Sequence, residues 1–462
     1  MPEPKLLRQL GVYSAAAIVV SNMVGSGIFI TPGFLAGDLG SAWLVVSIWF
    51  VGAVLAIAGA LCYSELGINF PRSGGEYVYL TEAWGPIWGF LTGWVSFFAG
   101  FSAPIAVGAM GIAAYLGYFF PSLSAPDAGP ALSLGLFTVR LGSPQLVACG
   151  IVAVFTALNM VGLLITARIQ NFLTTTKIAT ILCFIALGAL AGHGDWGHFA
   201  MPAIRTSQHS IPAQFLVSLV WVYFGYSGWN AATYIAEELR EPQRTLPRSL
   251  LAGTLLVALL YAGLNVIFIY ATPLESMKGV ARIGAEAARS LFGPAIAGAF
   301  SGLMAFALLS TVNAMTMIGP RVYYAMARNG AFFRAAERVH PRWNTPWIAV
   351  LAQGLCCCVL ILTGTFESLV QYVGFSLWLF TALSVLGLFK LRRRAGWKTV
   401  PAANLAFPLI PGVYIAASAW VLVYMVFLRP KESGYGLLTM ACGAAIYWWV
   451  ARERRKAAVN ST

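Results

Sequence analysis

The chain has 462 residues, of which 59% are hydrophobic and 10% charged, against roughly 25% charged in an ordinary soluble domain, and this excludes a water-soluble globular protein. The net charge of +13 does not point to nucleic acid, because the basic residues sort to one side of a series of apolar segments. Twelve such segments recur between Gly11 and Val450, each long enough to cross about 30 Å of hydrocarbon, so an all-α integral membrane protein is expected rather than a barrel.

After an amphipathic stretch from Leu6 to Leu10, segment 1 runs from about Val12 to Leu35 and carries Val24-Gly25-Ser26-Gly27-Ile28-Phe29 in its middle. Glycine costs about 1 kcal/mol relative to alanine inside a helix, and in hydrocarbon a backbone group released from its helix bond needs another polar partner. Two glycines around a serine therefore mark either a packing notch or a break that holds backbone groups open for a ligand. Segment 2, about Ala42 to Leu66, leads into Pro71-Arg72-Ser73-Gly74-Gly75-Glu76-Tyr77, which reads as a turn in a cytoplasmic loop. Segment 3, about Pro86 to Phe119, precedes an outer loop from Phe120 to Ser143 that is rich in Pro, Ser and Gly. Segments 4 and 5, about Gln145 to Leu164 and Ala167 to Ala191, join tightly near Arg168.

Segment 6, about Ala213 to Leu239, contains Tyr223-Phe224-Gly225-Tyr226-Ser227-Gly228-Trp229-Asn230, a second pair of glycines around a serine in mid-membrane. Segments 7 and 8, about Leu250 to Tyr270 and Pro294 to Ile318, enclose an outer stretch from Glu275 to Arg289 that is expected as a short surface helix. Segments 9 and 10, about Pro346 to Thr363 and Ser368 to Lys390, precede the basic run Lys390 to Arg394, and segments 11 and 12 occupy 404–450. The two interrupted segments each open a group of five, 11–191 and 213–390, and an odd number of crossings inverts the second group against the first. With the N-terminus inside, twenty-one Lys and Arg fall on the cytoplasmic side and seven outside, which puts both termini in the cytoplasm and suits a plasma membrane.

Two broken helices meeting at mid-membrane would offer free amides from the half starting near Gly27, and free carbonyls from the halves ending near Met23 and Phe224. Amides at a helix start favour an anion and carbonyls at a helix end favour a cation, so an α-amino acid satisfies both poles. The sixteen Asp and Glu fall in loops or at segment ends, which weighs against a dicationic substrate. Lys177 alone is charged within the core, ten residues or about 15 Å from the inner end of segment 5. Its ammonium is expected on the carbonyls of the first break as a fixed replacement for sodium, or as a proton carrier. Phe224 reads equally as core or as a ring closing over a ligand, and Trp229 and Asn230 as braces of the break. Asn159, Gln170 and Asn313 are expected as hydrogen bonds between helices. Seven cysteines in apolar segments and four loop histidines give no metal-like spacing, so neither metal nor cofactor is expected.

Val24 to Phe29 with Thr31-Pro32, Phe224 to Asn230 followed by Glu237-Glu238 and Pro242, and Gly319-Pro320-Arg321 with Ala327-Arg328-Asn329-Gly330 resemble the L-amino acid transporter branch of the amino acid–polyamine–organocation superfamily. The stretch from Asn159 through Gln170 to Lys177 is similar to its segments 4 and 5. The resemblance implies a LeuT-type fold of two inverted five-helix repeats, and sodium-independent amino acid transport by alternating access. It implies that the substrate carboxylate meets Ser26 and Gly27, that the amine meets carbonyls near Met23 and Phe224, and that Gly25, Gly225 and Ser227 line the site. Phe224 matches the family's gating aromatic, and Lys177 the lysine that stands where sodium binds in relatives. Animal members that pair with a heavy chain carry a cysteine in the outer loop after segment 3. The stretch 120–143 has none, so no disulfide-linked partner is expected.

The leading expectation is therefore sodium-independent exchange of neutral L-amino acids, with no enzymatic activity. Proton-coupled uptake, or transport of a cationic amino acid or polyamine, is the alternative within transport, and a membrane amino acid sensor the alternative outside it.

Overall fold

A computed structural model describes residues 6–123, 129–133, 138–280, 282–364, 366–428 and 430–459. Parts of the outer loop at 124–128 and 134–137, with Lys5 and Arg429, lie outside the described residues. The first apolar segment is two helices, α1 (Val12–Met23) and α2 (Gly27–Leu39), bent by 41° where Val24 leaves the helical region at ψ 84°. The long α3 (Ala42–Asn69) follows, then the short α4 (Glu76–Trp84), which begins after two glycines with positive φ, Gly74 and Gly75. A continuous span combines α5 (Pro86–Val95), a π-helical stretch at Ser96–Ser102 and α6 (Ala103–Leu116). The π turn has a local cause: Pro104 offers no amide to Gly100, and its ring would strike that carbonyl in a regular α-helix.

The loop after α6 contains a small antiparallel pair, β1 (Ala131–Ser133) and β2 (Thr138–Arg140). Then come α7 (Ser143–Val161), α8 (Leu163–Ala191) and α9 (Ile211–Tyr226), the last continued by a 3₁₀ stretch at Ala231–Glu238. The chain proceeds through α10 (Pro242–Ala271), α11 (Leu274–Met277), α12 (Ile283–Phe292) and α13 (Pro294–Arg328). It ends with α14 (Trp347–Thr363), α15 (Phe366–Leu391), α16 (Pro401–Leu405), α17 (Leu409–Leu428) and α18 (Pro430–Val459).

Among the described residues seven helices, or eight with the bent pair, are long and apolar enough to span a membrane, where the sequence suggested twelve segments. Segment 6 falls short because it is split, leaving α9 with 16 residues, and α14 has 17. In the stretch expected as a short surface helix, α12 buries one face through Ile283, Ala287 and Leu291 and leaves Arg289 and Ser290 exposed, and a Cβ on Gly33 of α2 would lie 2.5 Å from the Val280 carbonyl just before it.

The broken helices sit inside the bundle, with α1 against α10 and α8, and α2 against α9. On the N-terminal face the amides of Gln9 and Leu10 donate to the Glu238 carbonyl, and Arg240 N–H donates back to Leu10 O. The Glu238 carboxylate takes two parallel bonds from Arg321 of α13, Nε and Nη2 each at 2.9 Å, with both side chains buried. Removing one member of such a pair leaves a buried charge uncompensated, at a cost of about 3–5 kcal/mol, whereas an apolar pair of similar volume is often neutral or stabilising. R321M should therefore lower the melting temperature in detergent sharply, and adding E238M should recover much of the loss. A double variant as unstable as R321M would show that the apolar replacement does not pack.

Candidate functional site

The two interruptions meet through their glycines. A Cβ on Gly27 would lie 3.0 Å from Gly225 Cα and 3.6 Å from the Phe224 ring, so the two backbones pass with no room for a side chain between them. Gly228 holds φ at +100°, and a Cβ there would lie 2.8 Å from Asn22 Cβ, so that turn requires glycine on both counts. Gly25, Ser26 and Ser227 stay half-buried where the helices open, while Gly27 and Gly225 are buried in the contact. The second break begins two residues later than the sequence suggested. Phe224 O is taken by Ser227 N–H at 3.1 Å inside the closing turn, and it is Gly225 O that is left for other partners.

Those partners come from neighbouring helices. Tyr261 of α10 places its hydroxyl 2.6 Å from Met23 O and 2.9 Å from Gly225 O, so one phenol bridges both breaks. Its ring is fixed edge-on against Trp49 and tilted against Tyr226, with centroids 5.2 and 5.0 Å away. Nothing in the sequence singled out Tyr261, because one hydroxyl in an apolar helix has no local signature. Lys177 of α8, 1% exposed, donates to Val24 O at 2.6 Å and to Thr311 Oγ1 of α13 at 3.0 Å. Thr311 Oγ1 also lies 3.0 Å from Ser21 O and 3.1 Å from Val24 O. The ammonium thus sits on a carbonyl of the first break, where the sequence reading put it.

Behind the lysine runs a chain of amides and hydroxyls. Asn159 donates to Asn313, Asn313 to Gln170 and Gln170 to Thr174, whose hydroxyl meets Ser21 at 2.7 Å. These are the hydrogen bonds between helices expected of Asn159, Gln170 and Asn313.

A cavity of about 130 Å³ opens beside the breaks. Met23, Gly25, Ser26, Gly27, Phe224, Gly225 and Ser227 all line it, with Phe224 half-buried on its wall. Lys177 does not reach it and stands behind Thr311. Trp229 closes one side, packed edge-on to Tyr63 and Tyr414 at 4.8 and 5.8 Å between centroids.

One lining residue overturns the reading that the acidic residues stay clear of the core. Glu76, expected in a solvated loop, turns back into the cavity, 3% exposed, because Gly74 and Gly75 reverse the chain just before α4. Its carboxylate accepts from Tyr63 Oη at 3.0 Å, from Asn230 Nδ2 at 2.6 Å and from Tyr234 Oη. Asn230 therefore braces the second break through Glu76. Among the described residues no three His, Cys, Asp or Glu side chains converge on a metal-sized site.

Two substitutions test this geometry. G27A should force the breaks apart, because the obstacle is backbone, and should abolish ligand binding in protein that still reaches the membrane. Y261F leaves the Gly225 carbonyl without its donor and Met23 O with only the Gly25 amide, a cost of about 1–3 kcal/mol. It should weaken ligand binding about tenfold or more in a thermal-shift titration, and unchanged binding would remove Tyr261 from the site.

The family model for amino acid permeases matches residues 10–450. The chain is 29% identical over 455 residues to the large neutral amino acids transporter small subunit 2 of Homo sapiens, covering 96% of this chain and 80% of that one. It is 27% identical to the serine/threonine exchanger SteT of Bacillus subtilis, covering 97% and 98%, and 30% identical to the Asc-type amino acid transporter 1 of Homo sapiens, covering 96% and 82%. The chain belongs to the amino acid permease family, and it is a multi-pass membrane transporter, not an enzyme.

Proposed function

We propose that this protein exchanges neutral L-amino acids across the plasma membrane, without sodium, by alternating access. The observation that carries the reading is the Lys177 ammonium seated on Val24 O and Thr311 Oγ1. A fixed cation there fills a site of carbonyl and hydroxyl oxygens of the kind that would otherwise coordinate sodium. The substrate carboxylate takes the first amides of α2 and the Ser26 hydroxyl, where the helix start favours an anion. The substrate ammonium takes the second lone pair of the Gly225 carbonyl, beside Met23 O, which Gly25 N–H and Tyr261 already fill, with Ser227 next to it. Phe224 closes over the ligand, and its contact with Gly27 makes the gate sensitive to the first break. The names of the relatives support the substrate class, and SteT supports exchange.

The two five-helix groups, 11–191 and 213–390, act as inverted repeats in this reading, with 404–450 outside them. The charge bias supports cytoplasmic termini, and the outer loop 120–143 has no cysteine for a heavy chain. A second reading, transport of a cationic amino acid or polyamine, gains one supporting fact in the carboxylate of Glu76 at the cavity. Three neutral donors already occupy that carboxylate, which favours the neutral substrate.

The test is uptake of labelled L-serine, L-leucine, L-arginine and putrescine into proteoliposomes, with and without sodium, a pH gradient and internal amino acid. Serine or leucine uptake that needs internal amino acid and ignores sodium is expected. K177M should lose at least tenfold in exchange rate while the protein stays folded, since Val24 O loses its charged donor. Dependence on sodium, or normal exchange by K177M, would sink the role given to Lys177. F224A should slow exchange at saturating substrate; full activity would mean that the ring is only packing.

A further inference from the structure

Among the described residues Glu76 is met by three neutral donors, and two of them, Asn230 and Tyr234, lie on the segment that follows the second break. The same loop grips that segment twice more. Gly74 N–H donates to Tyr234 O at 3.1 Å, and Gly75 passes so close that a Cβ would lie 2.7 Å from the Tyr234 ring. A buried carboxylate is stable only while its lone pairs are filled. With the inner half of segment 6 seated, the amide and the two phenols fill three of its four acceptor sites; once that half swings away, water must replace Asn230 and Tyr234.

The group therefore has two satisfied states, dry with the floor shut and wet with it open, as a bistable element requires. The turn at Ser227 and Gly228 that lines the cavity lies only two residues before Asn230, and Gly228 is wedged against Asn22. A ligand that moves this turn moves Asn230 with it.

We infer that Glu76 is a positioning residue for transport: by holding Asn230 and Tyr234 it sets the balance between forms of the cavity closed and open to the cytoplasm. The inference rests on the transport reading above, and assigns the coupling of that same site to its inner gate.

The experiment compares wild type, E76Q and Y234F in oriented proteoliposomes. Apparent KM for labelled L-serine and L-leucine is measured separately at the outer and cytoplasmic faces, with binding of the same amino acids to detergent-solubilised protein. E76Q replaces one acceptor oxygen with an amide that faces existing donors. Y234F removes one donor and keeps the ring edge-on to Phe101 at 5.1 Å. Loosening the clasp populates the cytoplasm-open form, so KM should fall at the cytoplasmic face and rise outside. The outer-to-inner ratio should increase about tenfold in E76Q and about threefold in Y234F. A role in general stability would lower the amount of active protein without moving this ratio. If E76Q fails to fold, the ratio in Y234F decides. An unchanged ratio in variants that still exchange overturns the inference alone; a wild type that exchanges neither amino acid overturns the transport reading together with it.

Discussion

A carbonyl freed from its helix in hydrocarbon must be met by a donor, and this chain frees several of them where two broken helices touch. Met23, Val24 and Gly225 supply the carbonyls, and Tyr261, Lys177 and Thr311 supply the donors from three other helices. This requirement ties α8, α10 and α13 to the breaks more strictly than apolar packing could, since lipid tails are as apolar as leucine. The close pass of Gly27 and Gly225 is part of the same constraint. Held a side chain's width farther apart, the two breaks could not share a single phenol.

The charges follow the same economy of partners. Among the described residues one buried cation and one buried anion stand near the cavity, and each is satisfied by its own neighbours: Lys177 by a carbonyl and a hydroxyl, Glu76 by two phenols and an amide. They sum to zero, so the cavity presents no uncompensated charge to a third group. What stays open is the dipolar pair made by the start of α2 and the end of α9, a match for a ligand that carries both poles on one carbon. A cationic side chain would compete with the three donors already bound to Glu76, and any donor it displaced would be left dry.

The parts of this arrangement legible in the sequence were those with a local cause. Glycines around a serine in an apolar run mark a break wherever they fall, and a lysine ten residues inside a membrane segment marks a buried charge. The seat of Lys177 was read from the carbonyls that the first break leaves open. Tyr261 and Thr311 were not legible, because a hydroxyl acquires a role only from carbonyls more than 30 residues away in the chain. Glu76 was misplaced for a different reason. The pair Gly74-Gly75 signals a turn, but the direction in which a turn sends the chain depends on two positive φ values that composition does not encode. The second break was displaced because Gly225 and Tyr226 complete a helical turn that Ser227 closes through Phe224 O.

The N-terminal face is sealed by two unlike contacts, and their physics differs in a way that bears on opening. Beside the cavity a carboxylate is held by neutral donors; away from its lining Glu238 and Arg321 form a buried ion pair, with Gln9 and Leu10 docked on Glu238. Deleting one ion is costly because the other stays behind in a dry site. Separating the two by motion is another matter, since each ion recovers hydration as the face opens, and hydration is what burial took away. A buried ion pair at a mouth is therefore a strong constraint on sequence and a weaker one on movement. At Glu76 only the carboxylate regains an ion's hydration, while Tyr63, Asn230 and Tyr234 exchange one neutral hydrogen bond for another, and of the two contacts this is the one that lines the cavity.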